Sequence, residues 1–266
     1  MSTLLAVHAH PDDESTSTGG TLARYADLGV RTVLVTCTNG ELGDSPSGAK
    51  PGQPGHDIAE VISTRRGELE QACRILGVGD SEMLGYHDSG MRDWGYRDRP
   101  DVFASRPVAE VADRIEALLL HHQPEVVITY DPENDRQHVD HLHAALATAA
   151  AVARLAAPPA LFFKAHGTRY WAGIRTALGV IGVHRPEPEP AAAAFYAETE
   201  RRITTSLDVS AVIDRKYAAL HAHRSQIASS SAGRLPMPLF AQALNPETYI
   251  RSGATADGRL ETDLFS

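Results

Sequence analysis

The chain has 266 residues, 42% hydrophobic and 22% charged, which is enough apolar material for one sizeable soluble core. A net charge of −9 argues against nucleic acid or an anionic membrane surface as partner. Cys37 and Cys73 make neither a CxxC pair nor a disulfide framework, and no basic leader or membrane-length apolar run is present, so a reducing cytoplasm is the expected compartment.

Leu4 to Val7 predicts a buried strand, followed by a small-residue turn through Ser15 to Gly20 and a helix from Gly20 to Leu28 closed by Gly29. Thr32 to Val35 predicts a second strand, and 39–55 a long loop rich in Gly, Pro, Ser and Asp. Helical spacing runs from Asp57 to Leu76 with Gly77 as C-cap, and Glu82 to Tyr86 predicts a short strand. After an irregular polar stretch at 87–106, Val108 to Leu120 predicts a helix, Val126 to Thr129 a strand, Leu142 to Leu155 an Ala-rich helix and Ala160 to Phe163 a strand. From Tyr170 the pattern weakens: 186–190 predicts a stiff extended spacer, 203–209 an edge strand, 212–227 a helix, and the tail after Gly233 an irregular segment.

Strands alternating with helices predict right-handed βαβ units. The expected fold is α/β, a Rossmann-like three-layer αβα arrangement with a mostly parallel sheet. Residues 1–165 form the catalytic core and 166–266 a C-terminal covering region of the same domain. The loops at 39–56, 87–106 and 131–137 all leave strand C-termini, where ligands of such sheets bind.

Two polar clusters follow the two strongest strands. The first, His10-Pro11-Asp12-Asp13-Glu14, puts a histidine and three carboxylates in five residues, which packing does not explain because adjacent like charges repel. The second runs from Asp131 to His143 and carries His138 and His141 three residues apart, on one face of a helix beginning near His138. A helix N-terminus favours neutral imidazole, the form that binds metal. His10, one carboxylate of the first cluster and one histidine of the second would make the three-ligand layout of catalytic zinc. A remaining carboxylate would serve as general base and the other histidine as acid or oxyanion stabiliser, which points to amide or ester hydrolysis. Residue types alone do not choose between Asp12 and Asp13, or between His138 and His141.

Ala9-His10-Pro11-Asp12-Asp13-Glu14, with His138-Val139-Asp140-His141 after a later strand, resembles the LmbE/PIG-L family of zinc-dependent de-N-acetylases. Thr36-Cys37-Thr38, Arg65-Arg66-Gly67-Glu68-Leu69, Asp88-Ser89-Gly90-Met91 and Thr129-Tyr130-Asp131-Pro132 resemble its mycothiol-pathway branch, which deacetylates GlcNAc-inositol or cleaves mycothiol conjugates. The resemblance implies His10, Asp13 and His141 as metal ligands and Asp12 as general base. It implies His138 as the group that stabilises the oxyanion or protonates the amine, and Asp140 as the partner tuning His138. Arg65 and Asp88 match positions that hold sugar or inositol hydroxyls. The implied cofactor is Zn2+, with Fe2+ accepting the same ligands, and the implied partner is a small amino-sugar substrate. The chain departs from the branch at Glu133-Asn134-Asp135-Arg136-Gln137, where Arg136 stands in place of a tyrosine.

Competing readings are a mycothiol-conjugate amidase, a non-haem iron oxygenase using two histidines and a carboxylate, and a non-catalytic sugar-binding module. His8 is expected to be a buried, hydrogen-bonded core histidine, and Glu14 an anchor for the ligand loop. His221 and His223 are expected to lie at the surface or in packing, with reach to the site from His223-Arg224-Ser225-Gln226 as the lesser reading, and Trp94, Tyr96 and Trp171 to pin loops or stack on a sugar. Gly19-Gly20 lacks both GxGxxG and GxxxxGK[ST], so no nucleotide cofactor is expected.

Overall fold

The computed structural model describes residues 1–91 and 94–266, so positions 92 and 93 of the 87–106 stretch lie outside the described residues. The elements in chain order are β1 (Thr3–His8), α1 (Asp13–Ser17), α2 (Gly19–Asp27), β2 (Arg31–Thr38), α3 (Ile58–Leu76), β3 (Asp80–Tyr86), α4 (Val108–His122), β4 (Val126–Tyr130), α5 (Val139–Ala153) and β5 (Ala160–Lys164). The chain continues through α6 (Thr168–Val180), α7 (Pro190–Arg202), β6 (Thr205–Leu207), α8 (Ile213–Ala222), α9 (Met237–Leu244) and β7 (Glu247–Arg251).

The strands form one sheet in the order β3-β2-β1-β4-β5-β7-β6. Neighbours from β3 to β5 are parallel, and β7 runs antiparallel to both β5 and β6. All six residues of β1 are buried, as expected of a central parallel strand covered on both faces. Leu4 and Ala6 pack with α2, α3, α6, α8 and α9, whereas Leu5 and Val7 pack with α4 and α5. That alternation yields the three αβα layers. The sheet's winding reverses between β1 and β4, whose registers match Leu4 with Val126 and Ala6 with Ile128. A crevice opens outside the strand ends at such a reversal, and both polar clusters leave from it.

Local signals account for the well-read elements. Asp57 caps α3 by accepting the Ala59 and Glu60 N–H groups at 2.8 and 3.2 Å. Gly77 closes α3 at φ 77°, a conformation that suits glycine.

The structure corrects four expectations. The small-residue turn after the first motif is largely the short helix α1. Pro190 does not end a spacer but begins α7, because the first helical position needs no N–H donor. The helix expected at 212–227 is α8, ending at Ala222. The irregular tail contains α9, with proline in its first turn, and β7, which with β6 extends the sheet beyond β5. Residues 166–266 therefore supply strands and core helices in addition to α7, which packs against α6.

Candidate active site

The first motif leaves the end of β1, and its backbone folds back so that the ligand-type side chains converge. The His10 N–H donates to Asp13 Oδ2 at 2.8 Å, and His10 Nδ1 lies 3.2 Å from the same oxygen. Asp13 Oδ1 lies 3.2 Å from His141 Nε2, contributed by the first turn of α5. His10, Asp13 and His141 thus bring two imidazole nitrogens and a carboxylate within 4.8 Å of one another. His10 Nε2 faces the other way, 3.1 Å from Asp140 Oδ2 and 3.6 Å from Asp88 Oδ1, and with His138 these residues form an overlapping second group.

Both groups concentrate negative charge around the buried His10 and the half-buried His138 and His141. Burial opposes protonation of His10, but Asp88, Asp13 and Asp140 outweigh it and raise its pKa well above the imidazole range. Burial likewise opposes ionisation of Asp13, yet the charges and hydrogen bonds of His141 and His10 hold its carboxyl well below the usual range. Asp140 Oδ1 is buried with no hydrogen-bond partner. A carboxylate set this dense calls for a compensating cation, and the His10, Asp13 and His141 donors suit zinc.

Asp12, between the two ligand-type residues, stands apart. Its backbone adopts φ 128° and ψ −21°, outside the basins an L residue favours, a strain of roughly 1–3 kcal/mol. Arg65, buried within α3, donates to the Gly40 and Pro11 carbonyls at 2.5 Å each and lies 3.2 Å from Asp12 Oδ2. Gly40 is needed there, since a Cβ would sit 2.5 Å from Arg65 Nη1 and its φ is 65°. Burial raises the Asp12 pKa to about 6, with Arg65 opposing the rise and Asp13 adding to it.

His138 is the N-cap of α5, its Nδ1 accepting the Asp140 backbone N–H at 3.2 Å. That bond assigns the ring proton to Nε2. Burial, reinforced by His10, lowers the His138 pKa to about 4, so the ring is neutral. Asp140 reaches His138 through its backbone N–H and also through its carboxylate, whose Oδ2 lies 3.9 Å from His138 Nδ1 as well as 3.1 Å from His10 Nε2 and accepts the Ser89 N–H. Asp88 accepts the Gly90 N–H at 2.8 Å, and the charge of nearby His10 overcomes burial to lower its pKa.

These residues open into a cavity of about 400 Å³ whose lining includes His10, Asp12, Arg65, Asp88 and His138 together with Leu42, Met91 and Trp94. A larger hollow of about 520 Å³ beside residues 251–263 has no histidine in its lining. Residues 5–152 match the profile of the PIG-L family, described as GlcNAc-PI de-N-acetylase. The chain belongs to that family. It is 37% identical to the 1D-myo-inositol 2-acetamido-2-deoxy-alpha-D-glucopyranoside deacetylase of Actinosynnema mirum, over 98% of this chain and 95% of the relative. The corresponding enzyme of Mycobacteroides abscessus is 38% identical over 99% and 97%. A deacetylase of the teicoplanin pathway shares the fold with a TM-score of 0.61 at 19% identity, covering 96% of this chain and all of that one.

The contacts made by two PIG-L residues, Tyr130 and His223, were not expected in detail from the sequence, whereas those of Glu14 and His8 were. Tyr130, at the end of β4, stacks on His141 and holds the Ala9 N–H through its hydroxyl at 2.8 Å. An aromatic in a buried strand carries no signal beyond packing. His223, expected at the surface or in packing, is fully buried with Nε2 2.7 Å from Glu14 Oε1. Glu14 Oε2 accepts the Asp12 N–H at 2.9 Å, so Glu14 does anchor the ligand loop. His8 is hydrogen-bonded in the core to Thr18 and Tyr130. Trp94 reaches the cavity, whereas Trp171 stacks on Tyr196 between α6 and α7.

Proposed function

We propose that this protein is a cytoplasmic, metal-dependent de-N-acetylase that removes the acetyl group from an N-acetylglucosamine unit carried on inositol or a similar polyol. The observation that carries the reading is Asp12, which lines the cavity next to the His10, Asp13 and His141 donors. Relatives more than 35% identical over nearly the whole chain, named for GlcNAc-inositol deacetylation, support the substrate class. Two buried, unpaired cysteines suit a reducing compartment, and among the described residues no helix is long and apolar enough to cross a membrane. The α/β sheet and the family membership leave the oxygenase and sugar-binding-module readings without support.

His10, Asp13 and His141 would hold the ion, zinc by preference, with ferrous iron compatible with the same donors. Such an ion supplies Lewis-acid polarisation of the acetyl carbonyl and acidifies water toward neutrality. Asp12, ionised at neutral pH, takes a proton from the water whose oxygen adds to the carbonyl carbon. The Nε2–H of neutral His138 donates to the oxyanion that develops, a role that needs no positive charge on the ring. As the C–N bond breaks, its electron pair stays with nitrogen and Asp12 returns the proton to the departing amine. Acetate and the free amino sugar are the products. Asp88 accepts hydrogen bonds from sugar hydroxyls, and Arg65 faces the same cavity while fixing Asp12.

Amine release from N-acetylglucosaminyl-inositol by zinc-loaded and chelator-treated protein tests the reading. Metal-dependent release is expected. No release from this or other N-acetylglucosaminides, or an unchanged rate after metal removal, overturns it.

A further inference from the structure

The family profile matches through residue 152, yet a side chain from beyond that limit lies against the first motif. His223 follows α8, and its Nε2 sits 2.7 Å from Glu14 Oε1 with both side chains fully buried. Glu14 also accepts from the Ser15 hydroxyl at 2.5 Å and from the Asp12 N–H at 2.9 Å. Sealed from solvent, Glu14 does not meet substrate, and a buried carboxylate is retained only where its partners compensate its desolvation.

The Asp12 N–H belongs to the same peptide unit as the Pro11 carbonyl, which Arg65 holds at 2.5 Å. This one peptide is therefore gripped at both ends, by Arg65 on its oxygen and by Glu14 on its N–H. It is also the peptide that precedes the strained φ of 128° at Asp12. Releasing either grip lets that dihedral relax, and the Asp12 carboxylate turns with it. His10 and Asp13 are fixed by separate contacts to His141, Asp88 and Asp140, so the ligand-type residues do not depend on this grip.

We propose that Glu14 and His223 form a positioning pair: His223 orients Glu14, Glu14 holds the Pro11–Asp12 peptide in its strained turn, and the turn aims Asp12 into the cavity. The inference rests on the functional reading above for the role of Asp12. It assigns the region after residue 165 a part in reactivity rather than in covering alone.

The test uses the zinc-loaded full chain with His223→Ala and Glu14→Gln. Turnover of N-acetylglucosaminyl-inositol, zinc content and hydrogen exchange of the Asp12 amide are the readouts. His223→Ala is expected to keep its zinc and nearly its wild-type KM, lose kcat on the order of 10²-fold, and exchange the Asp12 amide faster. Glu14→Gln is the rescuing variant, because its amide oxygen still accepts the Asp12 N–H while its NH2 donates to neutral His223. It is expected to stay within severalfold of wild-type kcat with the Asp12 amide protected. Folded His223→Ala with wild-type kcat and a protected amide overturns the proposal. Where His223→Ala does not fold, a Glu14→Gln loss as deep as that of Asp12→Ala overturns it. If wild-type protein releases no amine, the functional reading fails on its own, and amide exchange still decides whether the pair holds the peptide.

Discussion

The Tyr130 ring lies parallel to the His141 imidazole, with centroids 4.1 Å apart and an interplanar angle of 6°. The stack fixes the ring plane of a ligand-type histidine, and the same tyrosine's hydroxyl ties β4 to the start of the first motif. Tyr130→Phe preserves the stack but leaves the buried Ala9 N–H unpaired, a cost of about 1–3 kcal/mol. The expected result is a lower denaturation midpoint with metal content unchanged. Tyr130→Ala also frees His141 and is expected to lower zinc occupancy, read by elemental analysis after dialysis.

Asp12 and Asp13 are adjacent in sequence and separable by experiment. Asp13→Ala and His141→Ala should each lose metal and activity together. Asp12→Ala should keep its metal and lose turnover by roughly 10²–10⁴-fold, the range expected when a general base is removed. Full turnover in Asp12→Ala would assign the proton transfer to another group.

Arg65→Lys keeps a positive charge but loses the planar fork that reaches two carbonyls. With the Gly40 and Pro11 carbonyls no longer held together, kcat is expected to fall by on the order of 10²-fold while zinc binding persists. Steady-state kinetics beside elemental analysis separates this from loss of the ligand set. An unchanged kcat would make the clamp dispensable.

Lys216 and Glu247 form a fully buried pair at 2.7 Å, and Glu247 also accepts the Gly20 and Thr21 N–H groups at the start of α2. Lys216→Met leaves Glu247 buried without its counter-charge, and a loss of about 3–5 kcal/mol is expected. Adding Glu247→Gln should recover part of that loss. A double variant no more stable in urea than Lys216→Met would show that the charge is compensated elsewhere.

Lys164 supplies a stability titration. Burial lowers its pKa to about 7, with Lys216 adding to the effect and Glu247 opposing it, and its Nζ donates to the Thr248 carbonyl at 3.2 Å. Between about 7 and the unfolded value of 10.5 the folded chain binds fewer protons than the unfolded one, so stability from this residue rises with pH across that window. The slope reaches about 1.4 kcal/mol per pH unit. Below about 7 the residue is charged in both states and contributes least. The difference in urea midpoint between wild type and Lys164→Met should shift in favour of wild type from about pH 6 to about pH 9.

The core was legible where period and position agreed. Leu4–Val7 and Val126–Thr129 are short apolar runs between turn signals, and both are central strands; the long apolar spacing of 57–76 and 108–120 gave α3 and α4 nearly to the residue. Proline hid α7 and α9, because a sequence reading takes it for a breaker and only the helix start shows it at a tolerated position. The meeting of the two clusters was legible because each follows a strand that ends at the sheet's reversal. The different surroundings of Asp12 and Asp13 were not, since the two are chemically identical until Arg65 and Glu14 hold the peptide before one of them. His223 was invisible as a partner of Glu14 because their contact depends on how α8 ends, which no local pattern encodes.

The register of Leu4 with Val126 has one more consequence. Asp13 and His141 follow different strands of the chain's central pair, so an unfolded chain offers an ion only two separate, incomplete clusters of donors. Metal capture then becomes a readout of completed strand pairing rather than a seed for it. The ion should stabilise the native state by simple mass action, raising the melting temperature with its free concentration, while leaving the rate of chain collapse unchanged.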